Sequence, residues 1–336
     1  MDHLKIIIPM AGRGKRLAPL TLRRPKPLLR LADKRLVDHV IDVFQTLRTL
    51  YELKYIFIVG HLGEQIRSHM EKFHPNLSVS YYEQTQLIGQ SPAVQLARDE
   101  IYGPTLLTYC DTLNITDFSF LNYQDLEGVA GVREVVDPRR FGVVVTGANR
   151  QVSRLIEKPK TSEHRLALSG LYYFTEGKDL ITAIAAQMER SDRLNNEYYL
   201  ADAINIMIES GARIRAEPVL QWLDAGTVDS MIETNGYLLQ NRQSVSSTVS
   251  KDRSNIMIEP FYIHESARVS NSVIGPNVAI GNNCQISESR IENSIVDDNS
   301  NITTATLINS LIGQDCNIRN GVKQPVMAEH DQIKVY

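Results

Sequence analysis

The sequence predicts an α/β domain built on a mixed, mostly parallel sheet, followed by a short solenoid of stacked β-coils. Three observations predict it. Short β-branched runs alternate with segments of helical period through the first half of the chain, the pattern that lays helices over a largely parallel sheet. Aliphatic residues recur every six positions in the last quarter of the chain. Between the two lies LLQNRQSVSSTVSKDRS, polar and without apolar period in its second half, which reads as a linker.

Taken in order, residues 4–8, 55–59, 79–82 and 105–109 are predicted strands. Residues 37–49, 64–73 and 92–100 are predicted helices between them, the last opening on Pro92, where a missing N–H is harmless. The crossovers of such βαβ units are right-handed. Beyond Asp111 the order loosens: 128–132, 142–145, 153–157 and 170–174 read as strands, 178–187 and 199–210 as helices. The result is a mixed, Rossmann-like sheet. A helix over 237–251 runs into the linker, giving domains at 1–240 and 258–330 with 241–257 between them.

In the second domain Ile274, Ile280 and Ile286 are six apart, as are Val296 and Ile302, and Ile312 and Ile318. The same positions recur at sixteen, with Ile280, Val296 and Ile312 in one column and Ile286, Ile302 and Ile318 in another. Asn-Ser-aliphatic returns at Asn271, Asn293 and Asn309. One aliphatic in six cannot bury itself within a single coil, so coils must stack into a continuous apolar column. A β-sandwich, with strands every ~8–12 residues, has no such strict period. IGPNVA and IGNNCQ match the hexapeptide pattern of left-handed parallel β-helices. Cys284 and Cys316 fall two sixteen-residue steps apart and are expected to fill the stack as small apolar groups.

Composition narrows the function. At 336 residues, 43% hydrophobic and 22% charged, the chain suits one large globular domain and one smaller one. A net charge of −3 gives no whole-molecule attraction to nucleic acid or membrane, and neither is expected as a partner. Three distant cysteines form no disulfide framework and have no metal-site spacing, which suits a reducing compartment. The N-terminal apolar run is too short for a signal peptide or a membrane span, so the cytoplasm is the expected location.

The strongest chemical signal is PMAGRGKRLAPLTLRRPKPLL, directly after the first strand. A strand ending in a glycine turn aims backbone N–H groups at phosphate, and Ala11, Gly12 and Gly14 supply that turn. The run lacks the third glycine of a dinucleotide fingerprint, and Arg16 stands where a P-loop has Ser or Thr. What remains is G-x-G-x-R followed by P-K-P-L. Arg16 and Lys26 could neutralise phosphate charge, the alternative being a solvated basic turn. A second signal is LLTYCDTLN, a strand run ending in Asp111 where α/β sheets bind ligands; taken alone, such an Asp is more often a cap or turn residue. A third is QWLDAGT, carrying Asp224 and Gly226.

The chain resembles the sugar-1-phosphate nucleotidylyltransferases, whose G-x-G-(T/S)-R-(L/F)-x-P-L-T and P-K-P-L are matched by Gly12, Gly14, Arg16, Leu17, Pro19, Leu20, Thr21 and residues 25–28. Lys15 departs from that pattern. W-x-D-x-G-T is matched at 222–227. Phe141-Gly142-Val143, Glu157-Lys158-Pro159, Ser169-Gly170-Leu171-Tyr172 and Asn196-Glu197 through Asp202 are similar to F-G-V, E-K-P, S-G-x-Y and G-E-x-x-x-T-D, in the family's order. Ala201 replaces the usual Thr. Among these families the chain is most similar to long-form glucose-1-phosphate thymidylyltransferases, which also carry a C-terminal left-handed β-helix.

The resemblance implies transfer of a nucleotidyl group from a nucleoside triphosphate to a sugar 1-phosphate, giving an NDP-sugar and pyrophosphate. It implies dTTP or UTP as donor, glucose 1-phosphate as first acceptor, and Mg²⁺ on Asp111 and Asp224. Arg16 and Lys26 join those two carboxylates as catalytic residues. Ala11, Gly12, Gly14, Gln84 and Gly89 join them at the nucleotide, with Gln86 as the alternative amide. Gly142, Glu157, Lys158, Gly170, Tyr172 and Glu197 are implied at the sugar phosphate. GTP-dependent transfer and a non-catalytic regulatory subunit that binds nucleotide sugars are the other readings. The β-helix, with His264 at its start and His330 after it, is expected to serve structure or assembly in a homo-oligomer rather than acyl transfer.

Overall fold

The computed structural model describes residues 2–191, 193–194, 196–241, 254–320, 326–327 and 332–334, so His330 and most of the expected linker lie outside the described residues. Two compact units emerge. The first comprises Met1–Gly12 and Val40–Trp222; the second comprises Arg13–His39 and Leu223–Tyr336.

The first unit is built on a nine-stranded sheet. Its strands are β1 (Asp2–Pro9), β2 (Tyr51–Val59), β3 (Ser78–Glu83), β4 (Thr105–Leu107), β5 (Gly128–Glu134), β6 (Gly142–Thr146), β7 (Val152–Glu157), β8 (Leu166–Phe174) and β9 (Ile214–Pro218). The main path runs β7-β6-β8-β4-β1-β2-β3, with β5 pairing β8 and β9. β1 to β4 are parallel neighbours, whereas β8 runs antiparallel to β4, β5 and β6. Leu4, Ile6, Ile7 and Ile8 of β1 are all fully buried, as a central parallel strand covered on both faces requires. Gly170, at φ +82°, breaks β8 with a register shift between Leu168 and Tyr172.

Helices α1 (Leu36–Val43), α2 (Gly63–Phe73), α3 (Gln90–Gln95), α4 (Gly177–Arg190) and α5 (Leu200–Glu209) follow the expected alternation. Val94, Leu180, Ile184 and Ile204 pack with Ile7, Leu107 and Phe174 in one core. Several boundaries differ from the sequence reading: β2 begins at Tyr51 and β8 at Leu166, each four residues early, and α3 ends at Gln95 rather than 100. The helix expected over 37–49 ends at Val43 and continues as a 3₁₀ turn, Gln45–Thr49. α3 starts at Gln90, two residues before Pro92, which still sits in the first turn where its missing N–H has no partner to lose. β4 stops at Leu107, and the next four residues turn to present Asp111.

In the second unit the signature segment folds as three 3₁₀ turns, Lys15–Leu17, Leu20–Leu22 and Lys26–Leu28, then a small hairpin of Arg30–Leu31 with Lys34–Arg35. Helix α6 (Val228–Gln240) begins at a Thr227/Ser230 capping box, nine residues before the expected start at 237. The remainder is a short left-handed parallel β-helix of three strand-stacked faces. The column residues align as their spacing required: Ile280 with Val296 and Ile312, Ile286 with Ile302 and Ile318. Asn271, Asn277, Asn293 and Asn309 turn the corners at positive φ, a conformation asparagine tolerates. Cys284 and Cys316 are buried in the stack.

Candidate functional site

The parallel strands β1, β3 and β4 deliver their following residues to one edge of the sheet in the first unit. Met10 N–H donates to the Ile58 carbonyl (2.8 Å), Gln84 N–H to Val59 (2.8 Å) and Thr108 N–H to Ile7 (3.0 Å). Ala11 is buried, and a methyl on Gly60 would come 2.8 Å from its Cβ. Gly12 is exposed and its α-carbon faces open space. Gln84 is buried, and its Nε2 donates to the Gly89 carbonyl (3.0 Å). Gly89 sits at φ +129° against the Tyr198 backbone, where a side chain would lie 2.3 Å from the carbonyl oxygen. Gln90 N–H donates to Tyr198 O (2.9 Å), and Leu200 N–H donates to Gln90 Oε1 (3.2 Å). The segment carrying the candidate base-reading amide is thereby stitched to the segment carrying Glu197.

Glu157 ends β7 opposite Gly142 on β6, and a methyl on Gly142 would come 3.0 Å from Glu157 Oε2. The chain then turns through Lys158 at φ +46°, its N–H donating to Phe141 O (3.0 Å). Lys158 Nζ donates to the Tyr199 hydroxyl (2.7 Å) and lies 4.6 Å from that ring's centroid. Burial pushes the Glu157 carboxyl above its usual range; Lys158 opposes this, while Asp202 and Glu197 add to it. Burial works against the Lys158 ammonium, but Tyr199, Glu157 and Glu197 hold it above the ordinary lysine value.

Tyr109 links this cluster to Asp111. A methyl on Gly170 would touch Tyr109 Cδ2 at 2.7 Å, so glycine is required where the ring lies. The Tyr109 hydroxyl is pushed well up by burial and then by Tyr172, Glu157 and Asp111. Burial and then Glu157 raise Tyr172 as well. Thr112 Oγ1 donates to Asp111 Oδ1 at 3.4 Å. Asp111, Gly142, Glu157, Lys158, Gly170, Tyr172 and Glu197 thus belong to one connected group. Tyr109, Tyr199 and Asp202 were not among the residues singled out from sequence, although each lies inside a motif that was.

Gly14, Arg16, Lys26 and Asp224 lie in the second unit. Gly14 is left-handed (φ +62°), Thr21 Oγ1 donates to its carbonyl (2.9 Å), and a methyl there would stand 3.4 Å from Lys26 Cβ. Lys26 is buried within its turn, whereas Arg16 and Lys15 are exposed. A methyl on Gly226 would come 3.0 Å from Asp224 Oδ1 and 3.2 Å from Arg16 Nη2, so both side chains crowd the same turn. Thr234 Oγ1 pins the Asp224 carbonyl at 2.6 Å.

A model of the nucleotidyl transferase family matches residues 5–241, more than half of the chain. The chain belongs to that family. A second model, described as the GMPPB C-terminal domain, matches residues 257–333 of this nucleotidyl transferase. It is 29% identical over 338 residues to the bifunctional protein GlmU of Methanococcus vannielii, spanning 93% of this chain and 78% of that one. It is 27% identical over 364 residues to a glucose-1-phosphate thymidylyltransferase of Streptomyces antibioticus, covering 99% of each. A nucleoside-diphosphate-sugar pyrophosphorylase from Vibrio cholerae shares its fold at a TM-score of 0.58 and 21% identity, over 68% of this chain and 99% of that one. A UDP-glucose pyrophosphorylase solved with UDP-glucose does so at 0.59 and 21%, over 72% of this chain and all of the other. The protein is a nucleotidyltransferase. Among the described residues no helix is long and apolar enough to cross a membrane.

Proposed function

We propose that the enzyme transfers a thymidylyl or uridylyl group to a hexose 1-phosphate, with dTTP and glucose 1-phosphate as its first substrates. The observation that carries this reading is Tyr109. It packs against Gly170 and lies within electrostatic reach of Asp111, Glu157 and Tyr172, so one ring joins the candidate metal carboxylate to the candidate sugar cluster. Gln84 supports a pyrimidine donor. With Nε2 engaged by Gly89, the amide offers Oε1 as an acceptor for the N3–H that thymine and uracil carry and cytosine lacks.

A non-bridging oxygen of the sugar phosphate bonds to the α-phosphorus as the bond to the bridging oxygen of the β-phosphate breaks, and pyrophosphate leaves with that electron pair. The attacking group is anionic at neutral pH and needs no base, so positioning and charge neutralisation supply the catalysis. Arg16 and Lys26 clamp the triphosphate. Lys158, oriented by Tyr199, holds the acceptor phosphate, while Glu157 and Glu197 accept from sugar hydroxyls. Asp111 and Asp224 are hard oxygen donors that suit Mg²⁺, which supplies Lewis-acid neutralisation of phosphate oxygens when bound.

The test is Mg²⁺-dependent pyrophosphate release with dTTP, UTP, GTP, CTP and ATP against glucose, mannose and N-acetylglucosamine 1-phosphates. The expected signal is sugar-dependent, strongest with dTTP or UTP, and lost in Asp111→Asn. A purine preference would overturn the base reading, and silence across the grid would favour a non-catalytic nucleotide-sugar-binding protein.

A further inference from the structure

Within the second unit, the signature segment meets the β-helix through five charged side chains, of which Arg30 and Asp297 are buried and Arg24, Arg35 and Asp298 partly so. Arg30 Nη2 contacts Asp298 Oδ1 at 2.6 Å, and its Nε reaches Asp297 Oδ1 at 3.4 Å. Arg35 Nη1 donates to both Asp297 oxygens (2.7 and 2.9 Å), and its Nη2 to Asp298 Oδ2 (2.6 Å). Arg24 lies 3.8 Å from Asp297 Oδ2 and donates to the Gln314 side-chain oxygen. Arg30 is 5% exposed and Asp297 4%. Burial works against ionised Asp298, yet Arg30 and Arg35 hold its carboxyl below the usual range.

The β-helix is shaped to receive these arginines. Asp297 and Asp298 follow Val296, one of the stacked column residues, so their backbone is fixed by the coil. Asn282 donates from N–H (2.8 Å) and from Nδ2 (3.1 Å) to the two oxygens of Asp298. A methyl on Gly281 would sit 2.3 Å from Asp298 Oδ1 and 2.9 Å from Arg30 Nε, so only glycine leaves room for the crossing.

Desolvating such a group commonly costs more than the ion pairs return, so stability alone gives no reason for its presence. A second contact points to one. Arg35 Nη1 also donates to the Leu28 carbonyl (3.3 Å), and Leu28 and Leu29 N–H close the turn on the Pro25 (2.9 Å) and Lys26 (3.1 Å) carbonyls. Lys26 in turn packs beneath Gly14.

We propose that Asp297 and Asp298 of the β-helix are positioning residues for nucleotidyl transfer: through Arg30 and Arg35 they fix the turn that carries Lys26 and, through Gly14 and Thr21, the loop that carries Arg16. The proposal rests on reading Lys26 and Arg16 as the triphosphate clamp. It makes the second domain part of the nucleotide site's support. A misplacement of about 1 Å in a phosphate clamp costs roughly a hundredfold in rate.

The test uses the full chain. Asp298→Asn is expected to lower kcat/KM for the triphosphate roughly thirty- to a hundredfold while KM for the sugar phosphate stays within about twofold, and Asp298→Glu is expected to recover part of the loss. Should Asp298→Asn fold poorly, Arg35→Met with Asp297→Leu carries the test, because apolar replacement of a buried pair preserves folding in other proteins. A double variant with the parent's unfolding midpoint and undiminished kcat/KM would overturn the proposal; a parent-like midpoint with the triphosphate-specific loss supports it. Lys26→Ala separates the two levels. If it leaves kcat/KM unchanged, the clamp reading fails. If it disables the enzyme while the aspartate variants do not, only the positioning role fails.

Discussion

Glu157 and Lys158 are neighbours in sequence, and the fold sets them against each other. The Glu157 carboxyl is held above its usual range by burial and by Asp202 and Glu197. The folded protein therefore binds that proton more tightly than the unfolded chain, a stabilisation present at acid pH and lost as pH rises through the folded value. Ionising that carboxyl therefore costs stability, a cost that its proposed role as a sugar-hydroxyl acceptor would explain. Glu157→Gln is expected to raise the unfolding midpoint at pH 7, with the gain fading toward pH 4. It should also raise KM for the sugar phosphate about ten- to a hundredfold, the loss of a hydrogen bond to a charged group worth ~1.5–3 kcal/mol. Equal midpoints at both pH values with an unchanged KM would sink this account. At this scale the motif residues were legible, because E-K-P, S-G-x-Y and P-K-P-L are local in sequence. Tyr109 was not: its ring matters because Gly170, sixty-one residues later, leaves space for it, and no spacing rule encodes that contact.

At the scale of elements, legibility followed periodicity. The sixteen-residue columns of the β-helix were readable because each coil repeats the same burial demand, and Ile302 lies fully buried between Ile286 and Ile318. Ile302→Ala removes part of that column where rigid coils above and below cannot collapse. It is expected to cost about 2–5 kcal/mol, seen as a lower urea midpoint for the β-helix transition, and a shift below about 0.5 kcal/mol would show that the stack relaxes freely. Elements without periodicity were missed. The signature segment folds as 3₁₀ turns, which have no apolar stripe to announce them. α6 was placed late because its capping box uses Ser230 where Glu or Gln is the usual signal, leaving the Thr227 start unmarked.

For the whole molecule, the order of residues along the chain differs from the order in which they pack. The chain leaves the first unit after Gly12, builds residues 13–39 into the second, returns at Val40, and leaves again after Trp222. Composition and linker polarity suggest a boundary near residue 240, but such signals register only where the chain is uncovered, and Arg24, Arg30 and Arg35 have covering partners some 260–290 residues away. A fragment ending at Asn241 would keep the family's N-terminal motifs and lose Asp297, Asp298 and Gln314. Arg30 would then be left buried or forced out of its pocket, and breaking a buried ion pair by removing one side costs about 3–5 kcal/mol. The fragment is therefore expected to unfold at a lower urea concentration and to release pyrophosphate at least roughly tenfold more slowly than the full chain, with the deficit in kcat/KM for the triphosphate. Measuring both on fragment and full chain decides the matter: equal kcat/KM would mean that residues 13–39 hold their shape without the β-helix, and that its contribution lies in assembly alone.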